Sequence, residues 1–192
     1  MSAEYKTTLP PVTEASANPD QAKILGKAKA AVGFIPNMYA GMVNSPGLLE
    51  TYLDGYGRFR QSGRFTPQEQ ETVFLVLSRE NGCTYCVTAH SMLAAKKSGV
   101  PENVLNAIRS GGEIPDRKLA ALARFTAHMH DSRGLPTKAE VAAFKAAGYG
   151  DEHIYEIILA QAVKTLSNYA NHIQHTKVDD MFASFAWEPE HA

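Results

Sequence analysis

Thr66-Pro-Gln-Glu-Gln-Glu71-Thr-Val-Phe-Leu-Val-Leu-Ser-Arg-Glu80-Asn-Gly-Cys83-Thr-Tyr-Cys86-Val-Thr-Ala-His90 is the stretch whose spacing decides the fold. Thr66 suits a helix N-cap, Pro67 the first helical position, and Glu69 closes a capping box three residues on. A helix is therefore expected from there to about Glu80. Asn81 and Gly82 both tolerate a left-handed backbone, so the chain breaks at that point. A second helix is expected from Cys83 to Lys97, with Gly99 as its stop. At roughly 100° per residue, positions 83, 86 and 90 fall within about 60° of one another around its axis. Two thiols and an imidazole then share one stripe, an arrangement suited to redox chemistry at sulfur.

The same pattern extends outward in both directions. Ile24 and Leu25 sit in a short Ala/Lys-rich helix that should end at Gly33, and Phe34-Ile-Pro-Asn37 restarts the chain. Ser45-Pro46 opens a helix with Leu48, Leu49, Tyr52, Leu53, Tyr56 and Phe59 at spacings of three and four, closed by Gly63. Short helices are expected over 102–109 and from Thr137, whose Glu140 makes a second capping box, to Gly148. Longer ones are expected over 116–130, with Leu119, Leu122, Thr126 and Met129 on one face, and from about Asp151 to His175 through Ile154, Ile157, Ile158, Ala162 and Leu166. The likeness between 94–105 and 143–154 is what any helix–Gly–helix hairpin gives. No segment alternates with period two long enough for a strand. The expected fold is all-α: an extended N-terminal arm over 1–20, one helical domain over 21–180, and a C-terminal tail over 181–192.

A chain of 192 residues holds one domain with a real core. Its 19 basic and 20 acidic residues leave a net charge of −1 and form no long run, so neither nucleic acid nor a membrane surface is expected as a partner. Met1-Ser-Ala-Glu-Tyr-Lys6 lacks the apolar core of a signal peptide, and no apolar run approaches a membrane span. A cytoplasmic protein is expected. In a reducing compartment a cysteine pair is more often catalytic or metal-binding than a permanent staple.

Cys83, at the helix start, meets the unpaired N–H groups and the positive end of the macrodipole, which favours its thiolate. Cys86 has His90 as its i+4 neighbour, which favours the other thiolate. The two arguments disagree, and spacing alone leaves the choice open. Haem attachment needs His directly after the second Cys, where Val87 stands. A thioredoxin-type domain needs a βαβ frame that is absent. Structural zinc would have to use Cys83, Cys86, His90 and one of His128, His130, His172 or His175, with three ligands crowded on one helix.

The run from Glu71 to His90 resembles the signature of the alkylhydroperoxidase D-like, carboxymuconolactone decarboxylase superfamily, in its peroxidase-related branch with an E…CxxCxxxH motif. Gly33-Phe-Ile-Pro-Asn37 with Ser45-Pro46-Gly-Leu-Leu49 is similar to that branch's N-terminal segment. Leu135-Pro-Thr-Lys-Ala-Glu140 through Gly148 to Asn171 looks like its second helical hairpin. The resemblance spans most of 25–175. It implies an all-helical fold assembled as a trimer or hexamer, and a peroxiredoxin-type activity in antioxidant defence: hydroperoxide reduction through a redox-active disulfide, or reduction of a peroxiredoxin's disulfide, with no cofactor. It further implies Cys86 as the nucleophile, Cys83 as its proton donor and resolving partner, and Glu71 with His90 as a proton relay. An external dithiol, a lipoyl group or a thioredoxin-like protein, would restore the pair. Some members carry His between the cysteines, where this chain has Tyr85.

Other residues are set aside. Glu80, at a helix end, is expected to be a solvated carboxylate, and His128 and His130 face different ways. His172 and His175 are expected to complement the dipole at a helix end. Tyr52, Tyr56 and Phe59 suit a core or a subunit interface. Phe182, Phe185 and Trp187 are expected to dock on a neighbouring subunit. The competing functions are carboxymuconolactone decarboxylation, which needs no cysteine pair, and a non-catalytic zinc-stabilised scaffold.

Overall fold

A computed structural model of the chain describes residues 3–189, so the first two residues of the expected arm and the last three of the tail lie outside the described residues. Among the described residues nine α-helices follow in order: α1 (Pro19–Val32), α2 (Asn37–Met42), α3 (Pro46–Gln61), α4 (Pro67–Glu80), α5 (Thr84–Leu93), α6 (Glu102–Ser110), α7 (Arg117–Asp131), α8 (Lys138–Ala146) and α9 (Asp151–Gln174). A π-turn over Ala94–Ser98 follows α5, and a 3-10 turn over Asp180–Phe185 follows α9. Among the described residues there is no strand, so the fold is all-α.

Helix α4 is the central element and packs against α5, α6, α7 and α9. Its apolar run explains why. Every residue from Glu69 to Ser78 is buried: Val73 to Leu77 supply the apolar surface, and Glu69, Gln70, Glu71, Thr72 and Ser78 are buried polar groups that need partners. Val73, Phe74 and Leu77 face one core, with Phe59, Cys83, Cys86 and Met129. Leu75 and Val76 face a second, with Val87, Ile108, Leu119 and Trp187. The Thr66 capping box forms in both directions, Glu69 N–H donating to Thr66 Oγ1 at 3.3 Å and Thr66 N–H to Glu69 Oε2 at 2.9 Å. Glu69 Oε1 also receives the Tyr149 hydroxyl at 3.0 Å and Lys118 at 2.8 Å, so the cap ties α4 to the α7–α9 side.

Four sequence expectations need correction. Asn18-Pro19-Asp20, placed in the arm, is instead the start of α1: Asn18 and Gln21 form a capping box around a proline in the first turn. The helix after the cysteine turn does not run regularly to Lys97. It leaves the α-form at Ala94, and Gly99, in the left-handed region, ends the π-turn by returning its N–H to Ala94. The tail docks on its own chain, with Phe182 and Trp187 both buried there. Trp187 Nε1–H donates to the Arg109 carbonyl at 2.9 Å, and its backbone N–H to Thr88 Oγ1 at 3.2 Å. His175 takes the left-handed C-cap of α9 and lies, through Nε2, 2.7 Å from the Ala3 carbonyl, so it anchors the N-terminal arm.

Candidate functional site: a buried dithiol

Gly82, in the left-handed region, turns the chain so that Cys83 becomes the N-cap of α5 and Cys86 its third residue. Cys83 is therefore one step outside the helix that sequence spacing gave it. Both sulfurs are free thiols, and both are buried, with 1% and 2% of the residues' surface exposed. The second helix brought to them is α9, through a buried polar stripe of Lys164, Ser167, Asn168 and Asn171. Asn171 Nδ2–H reaches Cys86 Sγ at 3.3 Å, Cys83 Sγ at 3.8 Å and the Met38 sulfur at 3.2 Å. Ser167 Oγ stands 3.9 Å from Cys86 Sγ.

The neighbouring α4 supplies Glu71, which is 1% exposed and held by two partners. Oε2 lies 2.8 Å from His90 Nδ1, while Oε1 pairs with the Arg60 guanidinium. Arg60 also donates to the Tyr56 hydroxyl at 2.9 Å and to Gln70 at 3.3 Å. The rings of Tyr56 and Phe74 stack with centroids 5.4 Å apart, and Phe74 lies 5.0 Å from the His90 ring. The structure thus brings Cys83, Cys86, Glu71 and His90 into one buried cluster. Glu80, by contrast, pairs with Arg79, and His128 pairs with Glu140 at 2.7 Å.

The surroundings push these groups apart in acidity. Burial works against ionisation of Cys86, yet the Cys83 thiol and the charge of Lys164 hold it well below the usual thiol range. Burial, reinforced by the neighbouring Cys86, pushes the Cys83 thiol up. Both thiols are buried alike, and the difference between them lies in the donor of α9, since Asn171 stands nearer Cys86 Sγ than Cys83 Sγ. Burial, with the charge of Lys164 added, pushes His90 down against the pull of Glu71. Burial would raise Glu71, but His90 and Arg60 hold it below the ordinary carboxylate range. One thiol prepared to ionise beside one that stays protonated is the pairing that a nucleophile and its proton donor require.

Spacing alone missed Arg60, Lys164, Ser167 and Asn171. A signal for three of them existed, since 164, 167 and 171 recur at helical spacing. The apolar residues used to read α9 pointed to another face, on which Ile158 and Ala162 are exposed. The zinc ligand set is also not assembled: among the described residues no group of three or more His, Cys, Asp or Glu is arranged to hold a metal ion.

Residues 46–130, a span that holds both cysteines, Glu71 and His90, match the model of the carboxymuconolactone decarboxylase family. No curated protein matches the chain significantly. Among solved structures, the fold is similar to an alkylhydroperoxidase AhpD core, an uncharacterized peroxidase-related protein from Ralstonia eutropha JMP134. The identity is 21%, with 94% of this chain and 96% of that one covered and a TM-score of 0.79. A peroxidase-related protein from Silicibacter sp. TM1040 is 18% identical over 94% and 95% of the two chains, with a TM-score of 0.75. The debrominase Bmp8, in a variant complexed with 2,3,4-tribromopyrrole, is 17% identical over 94% and 96%, with a TM-score of 0.73. At these identities the likeness defines the fold. No helix among the described residues is long and apolar enough to cross a membrane.

Proposed function

We propose that the chain is a thiol-dependent hydroperoxide reductase that cycles Cys83 and Cys86 between dithiol and disulfide. The observation that carries this reading is geometric: two free, buried thiols share one turn, Asn171 donates to Cys86 Sγ at 3.3 Å, and the Glu71–His90 pair stands in the same cluster. The Cys86 thiolate attacks the terminal oxygen of a hydroperoxide. The O–O bond breaks, Cys86 becomes a sulfenic acid, and the departing alkoxide takes a proton and leaves as an alcohol. Cys83 supplies that proton and becomes a thiolate. The Cys83 thiolate then attacks the Cys86 sulfur, forming the S–S bond and breaking the S–O bond, and the departing hydroxide takes a proton from solvent and leaves as water. An external dithiol gives two electrons and two protons to reopen it and is itself oxidised to a disulfide. A lipoyl group or a thioredoxin-like protein has the required chemistry.

The decisive experiment is peroxide consumption with dihydrolipoamide, and separately with reduced thioredoxin, as electron source. Consumption that persists unchanged in both Cys86→Ser and Cys83→Ser would overturn the reading. Carboxymuconolactone as an alternative substrate tests the decarboxylase chemistry, which has no use for a cysteine pair. A brominated pyrrole belongs in the same series, because reductive removal of bromide could use the same two thiol electrons as peroxide cleavage.

The outer face of α9 also supports self-association. Tyr155, Ile158, Tyr169 and Ile173 are exposed along it at helical spacing, and a second copy of this chain would bury them. Light scattering on the purified protein tests whether it is a trimer or hexamer.

A further inference from the structure

Lys164 is 1% exposed on a helix packed against both α4 and α5, and its Nζ has no hydrogen-bond partner among the described residues. Lysine is almost never buried to this degree without a partner, because a lone ammonium stripped of water is strongly destabilising. What surrounds it is instructive. Its Nζ lies 5.5 Å from the centre of the Phe74 ring, and that ring lies 5.0 Å from the ring of His90. One turn further along α9 is Ser167, whose hydroxyl stands 3.9 Å from Cys86 Sγ.

The charges in this cluster do not balance unless a sulfur carries one. Helix α4 contributes the carboxylate of Glu71, and α3 contributes Arg60, which pairs with it. Those two cancel. Tyr39, Tyr52 and Tyr85, which face Cys86 from α2, α3 and α5, are all pushed up by burial and stay neutral, and burial pushes the half-buried His172 of α9 down. The positive charge of Lys164 is left over. A protonated His90 would add a second uncompensated cation to a buried site, whereas an anionic Cys86 removes the first.

We infer that Lys164 supplies the positive charge that holds Cys86 as a thiolate in the reduced protein, with His90 uncharged beside it. This assigns Lys164 as a positioning residue for the sulfur's charge and frees His90 to take or give a proton during turnover. The role in turnover rests on the reductase reading above; the thiolate itself does not, and can be measured with no peroxide present.

The test follows thiolate absorbance in the ultraviolet, and the rate of alkylation of Cys86 by iodoacetamide, from about pH 5 to 9. Lys164→Met, shown to be folded by circular dichroism, should raise the half-ionisation point of Cys86 by about one pH unit or more, a roughly tenfold loss of thiolate below it. Lys164→Arg should restore most of it. A folded Lys164→Met that titrates like the native protein would overturn the inference, as would an Arg variant no better than Met. His90→Gln supplies a second measurement that holds even where Lys164→Met fails to fold. Persistence of the thiolate in that variant supports Lys164 as the counter-ion; its loss assigns the charge to the imidazolium and overturns the inference. If the thiolate behaves as expected while peroxide consumption is absent, the reductase reading fails and the Lys164 assignment stands.

Discussion

Glu71 Oε2 lies 2.8 Å from His90 Nδ1, across the hairpin that joins α4 to α5 and nineteen residues away in sequence. Because Glu71 is held as a carboxylate, the His90 proton sits on Nδ1 and Nε2 keeps its lone pair. The carboxylate thus selects the tautomer, and Arg60 on its other oxygen fixes the carboxylate in turn. The i+4 spacing placed His90 near Cys86, but its Nδ1 turns toward Glu71. A proton exchanged with the sulfurs would use the opposite edge of the ring.

The two thiols should differ sharply toward alkylating agents. Cys86 is expected to react at a rate that is nearly flat from about pH 7 to 9, whereas an ordinary thiol gains roughly 25-fold over that range. Cys83 should stay slow throughout. Peptide mass spectrometry after brief iodoacetamide treatment measures both. Cys86→Ser should abolish peroxide turnover, and Cys83→Ser should accumulate a sulfenic acid or mixed disulfide on Cys86.

Glu71→Ala would leave Arg60 and His90 buried without their shared partner. Breaking such a buried pair costs about 3–5 kcal/mol, which urea unfolding would register. Glu71 has its folded pKa depressed, so its contribution is present above the ordinary carboxylate range and is lost as pH falls through the lowered value. The gap between native protein and variant should therefore narrow on acidification.

Asn171 donates one N–H to Cys86 Sγ at 3.3 Å. A hydrogen bond to a charged group contributes about 1.5–3 kcal/mol. Asn171→Ala should accordingly lower the thiolate fraction at mildly acidic pH by roughly tenfold or more, read as slower alkylation of Cys86 with little change at Cys83.

Trp187 fills the second core and anchors the tail through Arg109 and Thr88. Trp187→Ala should cost about 3–5 kcal/mol of unfolding free energy. Thermal unfolding would check this, and the effect should appear without any change of protein concentration, since the pocket belongs to the same chain.

The helices were legible because local chemistry specifies their ends. Thr66, Pro67 and Glu69 form the expected cap, and Leu119, Leu122, Thr126 and Met129 make the buried face expected of α7. The cysteine motif was legible for the same reason, since residues 71 to 90 lie on one helix hairpin. Two kinds of feature were not. The acidity order of the thiols depends on α9, whose approach to the sulfurs is a long-range contact that no local spacing encodes. Arg60 was hidden differently: an arginine among aromatics at the end of α3 looks solvated until Glu71 is known to be buried opposite it.

Tyr85, the residue between the cysteines, donates its hydroxyl to Asp179 Oδ2 at 2.5 Å, ninety-four positions away, and Asp179 Oδ1 receives the backbone N–H of Asn37 at 3.0 Å. A single carboxylate past the end of α9 therefore fastens both the dithiol turn and the beginning of α2, the helix that brings Met38 to the sulfurs. Proteolytic clipping between His175 and Asp179 would leave every member of the sulfur cluster on the chain yet unfasten the turn that aligns them, so loss of redox competence could precede any loss of helix.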